Sequence, residues 1–232
     1  MPANATPDTV IDLDEQPVGA SETHLFLLRV ARDNLGQYEA TRVEVFLVAQ
    51  DWRSGAEEVW VIDRFVKSMD YSDGGDPLGY SIKRDEGQTV GNIHRIIADE
   101  GGMPWQAVQR TVNQRTRLNF ASDSEAMRFS FGTDARFAVT RDALQGRLDQ
   151  VTDFFAERMV DYRRHSTVPT RQYVSERGIS AGDCRVDRVM DFWVPGRAEL
   201  SPLVKFDCAS SPDDPRTSVV VQLQPAPTPA DP

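Results

Sequence analysis

What this chain lacks narrows its class first. It has no apolar run near the roughly 20 residues that a bilayer-spanning helix needs, so a soluble chain with no membrane partner is expected. Its opening, MPANATPDTVIDLDEQ, lacks both a basic n-region and an apolar h-region. No secretory signal is read there, and the expectation is a cytoplasmic protein, or an exported one if a leader is missing from the sequence. Lysine occurs only at Lys67, Lys83 and Lys205, a bias that carries no functional reading. There is no HExxH, GxSxG, GxxxxGKS/T or GxGxxG motif, and His24, His94 and His165 stand far apart. Enzyme is therefore the residual class, and no cofactor is expected.

Cysteine is almost absent too, with only Cys184 and Cys208. A hairpin that matches the ends of strands 184–194 and 203–208 would set Cys208 about four places from Cys184. At about 3.3 Å per residue that is roughly 13 Å, beyond the ~7 Å Cα reach of a disulfide. On that pairing both are buried thiols in a reducing compartment. A different pairing would permit a bridge and point to export.

The net charge of −10 disfavours nucleic acid until it is located. Residues 1–22 hold Asp8, Asp12, Asp14, Glu15 and Glu22 without a base, and 209–232 hold Asp213, Asp214 and Asp231 against Arg216. The intervening body is much closer to neutral, and local charge steers a ligand more than the total.

Composition marks 1–21 as a disordered acidic tail and 225–232 as a disordered proline-rich one. Between them, 22–224 reads as a single α+β domain with a helical subregion over 86–166. Thr23–Arg32, Thr41–Gln50 and Glu58–Ser68 form an N-terminal antiparallel meander, the last apolar on both sides and so a central strand. A helix pair follows over 88–100 and 104–115. Residues 126–131 and 136–140 suggest a hairpin, although Ser122–Glu125 would also serve as a capping box for a helix there. Arg141–Arg164 is an amphipathic helix striped by Leu144, Leu148, Val151, Phe155, Met159 and Tyr162, with Thr140 as its cap. C-terminal strands alternate through Val186–Val194, Val204–Cys208 and Val219–Leu223. Both strand groups are expected to share one sheet, with separate β-units as the alternative.

The sharpest chemical suggestion lies in Ile93–Asn113. Two helices meet at Gly101-Gly102, the second carrying arginine but no acid. Gln106, Gln109, Arg110, Asn113 and Arg115 would project toward a groove, where arginine and glutamine can bond guanine and adenine edges in pairs. Arg115 or Arg117 would hold phosphates. The segment resembles the helix-turn-helix of the lac-repressor family at Ala98, Gly102, Gln106, Val108, Arg110, Val112, Asn113 and Gln114. The resemblance implies an operator-reading second helix, with base contacts from Gln106 and Arg110. Double-stranded DNA is then the partner; helix 141–164 packs on the protein's own sheet or, as the alternative, forms a homodimer that would supply the symmetric scaffold.

Two other readings stay open. The helices are ordinary core, and the chain is a protein-interaction or structural component whose sheet edge or aromatic residues engage an unknown protein. Alternatively Asp70, Asp73 and Asp76 gather oxygen ligands for a hard cation in a metal-dependent enzyme, against the plainer reading of a solvated turn.

Overall fold

The computed structural model describes residues 10–36, 39–72, 75–112, 125–131, 135–160, 170–176, 178–197, 202–211 and 214–226. In chain order the strands are β1 (Ile11–Ala20), β2 (His24–Asp33), β3 (Ala40–Asp51), β4 (Glu57–Tyr71) and β5 (Pro77–Arg84). Helix α1 (Ile93–Asp99), β6 (Met103–Pro104), α2 (Trp105–Val108) and β7 (Gln109–Val112) follow. Next come β8 (Ala126–Phe131), β9 (Ala135–Thr140), α3 (Arg141–Arg158), α4 (Thr170–Ser175) and a 3-10 turn at Ala181–Asp183. The chain closes with β10 (Cys184–Phe192), β11 (Leu203–Cys208), β12 (Thr217–Gln222) and β13 (Gln224–Pro225).

The described residues are 53% strand and 21% helix, which corrects the balanced α+β expectation. Among them one ten-stranded mixed sheet runs β5-β4-β3-β2-β1-β12-β11-β10-β7, with β6 beside β1. A smaller sheet orders β13-β9-β8. The strand groups do share a sheet, joined where β1 runs parallel to β12 with Leu13 opposite Thr217. The anticipated meander is present as β2, β3 and β4. However, β4 lies next to the edge rather than at the centre. The 126–140 hairpin is also present, as β8 and β9.

Residues 11–20, expected in a disordered tail, form β1 instead. Ile11, Leu13 and Glu15 alternate with Asp12, Asp14 and Gln16, and the first set is buried. Two of these acids are neutralised by partners far along the chain. Asp14 takes an ion pair from Lys205 at 2.6 Å, and Glu15 is held by Arg29 and Arg147. An acidic strand can occupy the middle of a sheet because cations reach it from neighbouring elements.

Helix α3 begins as read, with the Thr140 hydroxyl accepting from the Ala143 amide at 3.1 Å. Leu144, Leu148, Val151 and Phe155 are at most 2% exposed and pack with Phe46, Leu27, Val48 and the C-terminal strands. Each such burial contributes about 1.5–3 kcal/mol. Of the two readings of 141–164, the stripe takes the first and packs on the protein's own sheet, and nothing in that packing supports the homodimer. Tyr162, Arg163 and Arg164 lie outside the described residues. On the opposite face, α1 sets Ile97 against Phe26, Leu47, Ala49 and Ile62 in a smaller core.

The cysteine expectation is corrected as well. Cys184 and Cys208 lie directly opposite one another and are joined as a disulfide. The assumed hairpin matched strand ends, whereas Met190 is the residue opposite Leu203. The strands are slipped by about four places from the assumed register, and the two sulfurs meet.

Candidate functional site

The segment expected to read DNA is built differently from a helix pair. Asn92 caps α1, its side chain accepting from the Arg95 amide at 3.1 Å, and Gly101 turns the chain at φ 67°. Helix α2 then lasts only four residues instead of the expected run to 115. Trp105 and Val108 are buried, and Trp105 lies 5.4 Å from the Phe192 ring, which stacks on Trp52. After Val108 the backbone joins β10 as edge strand β7, with the Trp193 amide bonding the Val108 carbonyl at 2.8 Å. An open sheet edge offers the backbone a ladder, and here tertiary pairing overrides helix propensity.

The suggested base readers are therefore scattered. Gln106 is exposed on α2 and lines a groove with His94 and Asn92. Gln109 is half-buried in β7. Arg110, also in β7, is exposed, with its guanidinium 5.6 Å from the Trp193 ring centre. Asn113, Arg115 and Arg117 lie outside the described residues. Of the weak metal candidates, Asp70 accepts from the Ser81 hydroxyl at 2.9 Å, Asp76 donates its backbone amide to the Ser72 hydroxyl at 3.1 Å, and Asp73 is outside the described residues. Among the described residues no three His, Cys, Asp or Glu groups converge to hold a metal.

The feature that sequence reading missed is β5 and the face beside it. All eight residues of Pro77–Arg84 are exposed. Cross-strand pairs Phe65/Arg84, Lys67/Ile82 and Met69/Tyr80 put these side chains on one face of the β4–β5 ribbon. On that face Tyr80 is 60% and Ile82 53% exposed, and the Lys67 ammonium sits 3.8 Å over the Tyr80 ring; Leu78, the extra residue of a bulge, is 71% exposed. The Asp85 amide bonds the Arg64 carbonyl. In an antiparallel ladder hydrogen-bonding residues alternate, so the amides of Gly79, Ser81 and Lys83 face β4. The amides and carbonyls of Tyr80, Ile82 and Arg84 then point outward from the edge, whereas a bulge between Asp70 and Tyr71 interrupts the alternation at Leu78. The alternation Leu78, Tyr80, Ile82 was the available signal, obscured by the turn-rich residues just before it.

The rest of this region is rigidly supported. Beneath α3, Arg29 pairs with Glu15 at 2.8 Å and with Glu57 through two bonds of 2.6 and 2.8 Å. Burial would raise the Glu15 carboxyl, but Arg147, Arg29 and the Val220 amide overcome it and hold its pKa below the ordinary value. Glu44 goes the other way, because burial outweighs its bonds from the Val160 amide, Arg64 and Arg42. Arg42 in turn grips Asp85, at the end of β5, through two bonds of 2.7 Å. The edge strand is thus anchored at that end by a charged clasp.

A cleft of about 500 Å³ opens between α3, β9, β13 and the large sheet, lined by Trp52, Arg147, Gln150 and Gln222 among others. Arg147 and Gln150 already bond Glu15, Val220, Glu57 and each other. The cleft floor is therefore internally satisfied. Comparison with protein-family models, with curated proteins and with solved structures finds no match for this chain.

Proposed function

We propose that this chain is a non-enzymatic protein-interaction component that takes an extended segment of a protein partner onto β5. The observation that carries this reading is the coincidence, in one edge strand, of outward backbone groups and the exposed apolar side chains Tyr80 and Ile82 on a single face. Strand addition uses main-chain bonds for affinity and alternate side chains for specificity. Lys83 projects from the other face and leaves the apolar side open. Proteins usually blunt such an edge, and a long apolar one is a template for pairing. The disulfide supports placing the protein in an oxidising compartment.

Peptide display tests this reading. Selection on the immobilised protein is expected to enrich extended peptides with alternating apolar residues, and a Tyr80→Pro/Ile82→Pro variant is expected not to bind them. Both prolines remove outward amides, so the bonds to β4 remain. Enriched peptides that bind the variant equally well would overturn the proposal.

A second reading, nucleic-acid binding, is favoured by one observation: exposed Arg110 beside Trp193, which is 41% exposed. Arginine and aromatic faces together suit phosphates and bases. Binding to mixed double- and single-stranded DNA across a salt series tests it, with Arg110→Ala expected to flatten the salt slope. No binding at low salt would remove this reading.

A further inference from the structure

Independently of β5, we propose that the cleft between α3, β9, β13 and the large sheet is a binding site for an uncharged sugar, seated against Trp52 and bordered by side-chain amides. Its volume of about 500 Å³ falls within the range of small-molecule sites and suits a disaccharide. The platform is preformed. Asp51 accepts from the Arg53 and Ser54 amides and from the Ser54 hydroxyl, and this turn presents Trp52 to the cleft. The Trp52 Nε1 donates to the Ser21 carbonyl at 3.1 Å, and Phe192 stacks on the indole at 5.5 Å from outside the cleft. The slightly positive C–H bonds of a sugar ring pack well on such a fixed, negative π face.

The walls offer the bonds that the floor does not. Among the described residues, the side-chain amides of Gln50, Gln222 and Gln224 line the cleft without a hydrogen-bond partner. An amide both donates and accepts, as a sugar hydroxyl does. A wholly apolar ligand would strip water from these amides and return no bond. The two lining residues that carry charge are already committed. Arg147 bonds Glu15, Val220 and Gln150, and Asp51 holds its own turn, so neither is left to select an ion. Gly146 is a second sign of a ligand. It sits in the interior of α3, where glycine weakens a helix, and a Cβ there would meet no atom within 4 Å among the described residues. Packing does not require this glycine, but an open cleft does.

Calorimetric titration of the full chain with maltose, cellobiose, lactose and diacetylchitobiose tests the proposal. At least one of these is expected to bind with a Kd of about 1 mM or below. Trp52→Ala and Gln222→Leu are each expected to weaken that sugar by about tenfold or more. Gly146→Leu sends a side chain into the cleft from an exposed position of a helix that leucine favours. It should abolish binding while the melting temperature stays at or above that of the wild type, which separates a blocked site from a damaged fold. No binding of any of these sugars, or binding that Gly146→Leu leaves intact, would overturn the proposal. Tighter binding of glucuronic acid than of glucose would overturn the choice of an uncharged ligand.

Discussion

Arg147 of α3 reaches the Glu15 carboxylate of β1 at 2.6 Å, with the acid fully buried and the guanidinium nearly so. That contact ties the long helix to the middle of the sheet. Arg29 shares the same carboxylate and lies 4.3 Å from the Phe154 ring centre, so the cations are both paired and packed.

Removing the shared acid leaves two buried cations with Glu57 alone. Glu15→Gln is expected to cost about 3–5 kcal/mol, the range for breaking a buried pair by deleting one partner. Urea unfolding of the variant against the wild type measures it. A loss below 1 kcal/mol would mean that the network is not structural.

The same carboxyl fixes an acid dependence. Its folded pKa is held below the ordinary 4.5, so its contribution is complete above that pH and is lost as the pH falls below it. Wild-type stability should therefore fall more steeply below pH 4.5 than that of Glu15→Gln, read from denaturant midpoints at each pH.

Glu44 predicts the opposite slope. Its folded pKa is raised above 4.5, so ionisation costs stability as the pH rises past that value. The stability of Glu44→Gln relative to wild type should increase between pH 4.5 and neutrality. A constant difference across that interval would contradict the assignment.

The Cys184–Cys208 bridge spans a sequence separation of 24 residues. A loop of that size corresponds to about 3 kcal/mol of chain entropy removed from the unfolded state. Thermal unfolding with and without reductant, beside the Cys184→Ser/Cys208→Ser variant, should show that loss in both.

Two glycines should respond in opposite directions. A Cβ at Gly102 would come within 2.5 Å of the Phe26 ring and 2.9 Å of Ile97, so Gly102→Ala should destabilise by about 1–3 kcal/mol. Gly146 sits inside α3 with open space around it, and Gly146→Ala should stabilise by about 1 kcal/mol. Melting temperatures of the two variants check the contrast.

Elements with an uninterrupted local pattern were legible in the sequence. The stripe of α3, the meander and the β8–β9 hairpin could be read because their periodicity is set by their own residues. β1 was hidden because its acids resemble a solvated tail, and their partners Lys205, Arg29 and Arg147 lie elsewhere in the chain. The segment after Val108 carries a helical pattern but lies against β10, so a neighbour decided its conformation. The disulfide was missed through register alone, which no local signal specifies. The candidate site failed to be legible for a related reason: the exposure of Tyr80 and Ile82 is set by how the described elements pack around β5 and not by the local pattern.

The parallel pairing of Leu13 with Thr217 has a consequence for how the molecule is made. The centre of its main sheet joins two strands that lie far apart in the order of translation. A nascent chain can zip β1 through β5 early but must hold one flank of β1 open until β12 emerges. Contacts of such large sequence separation slow folding, and unpaired strand flanks expose a growing chain to wrong partners. The central seam of the sheet thus closes only once β12 has left the ribosome.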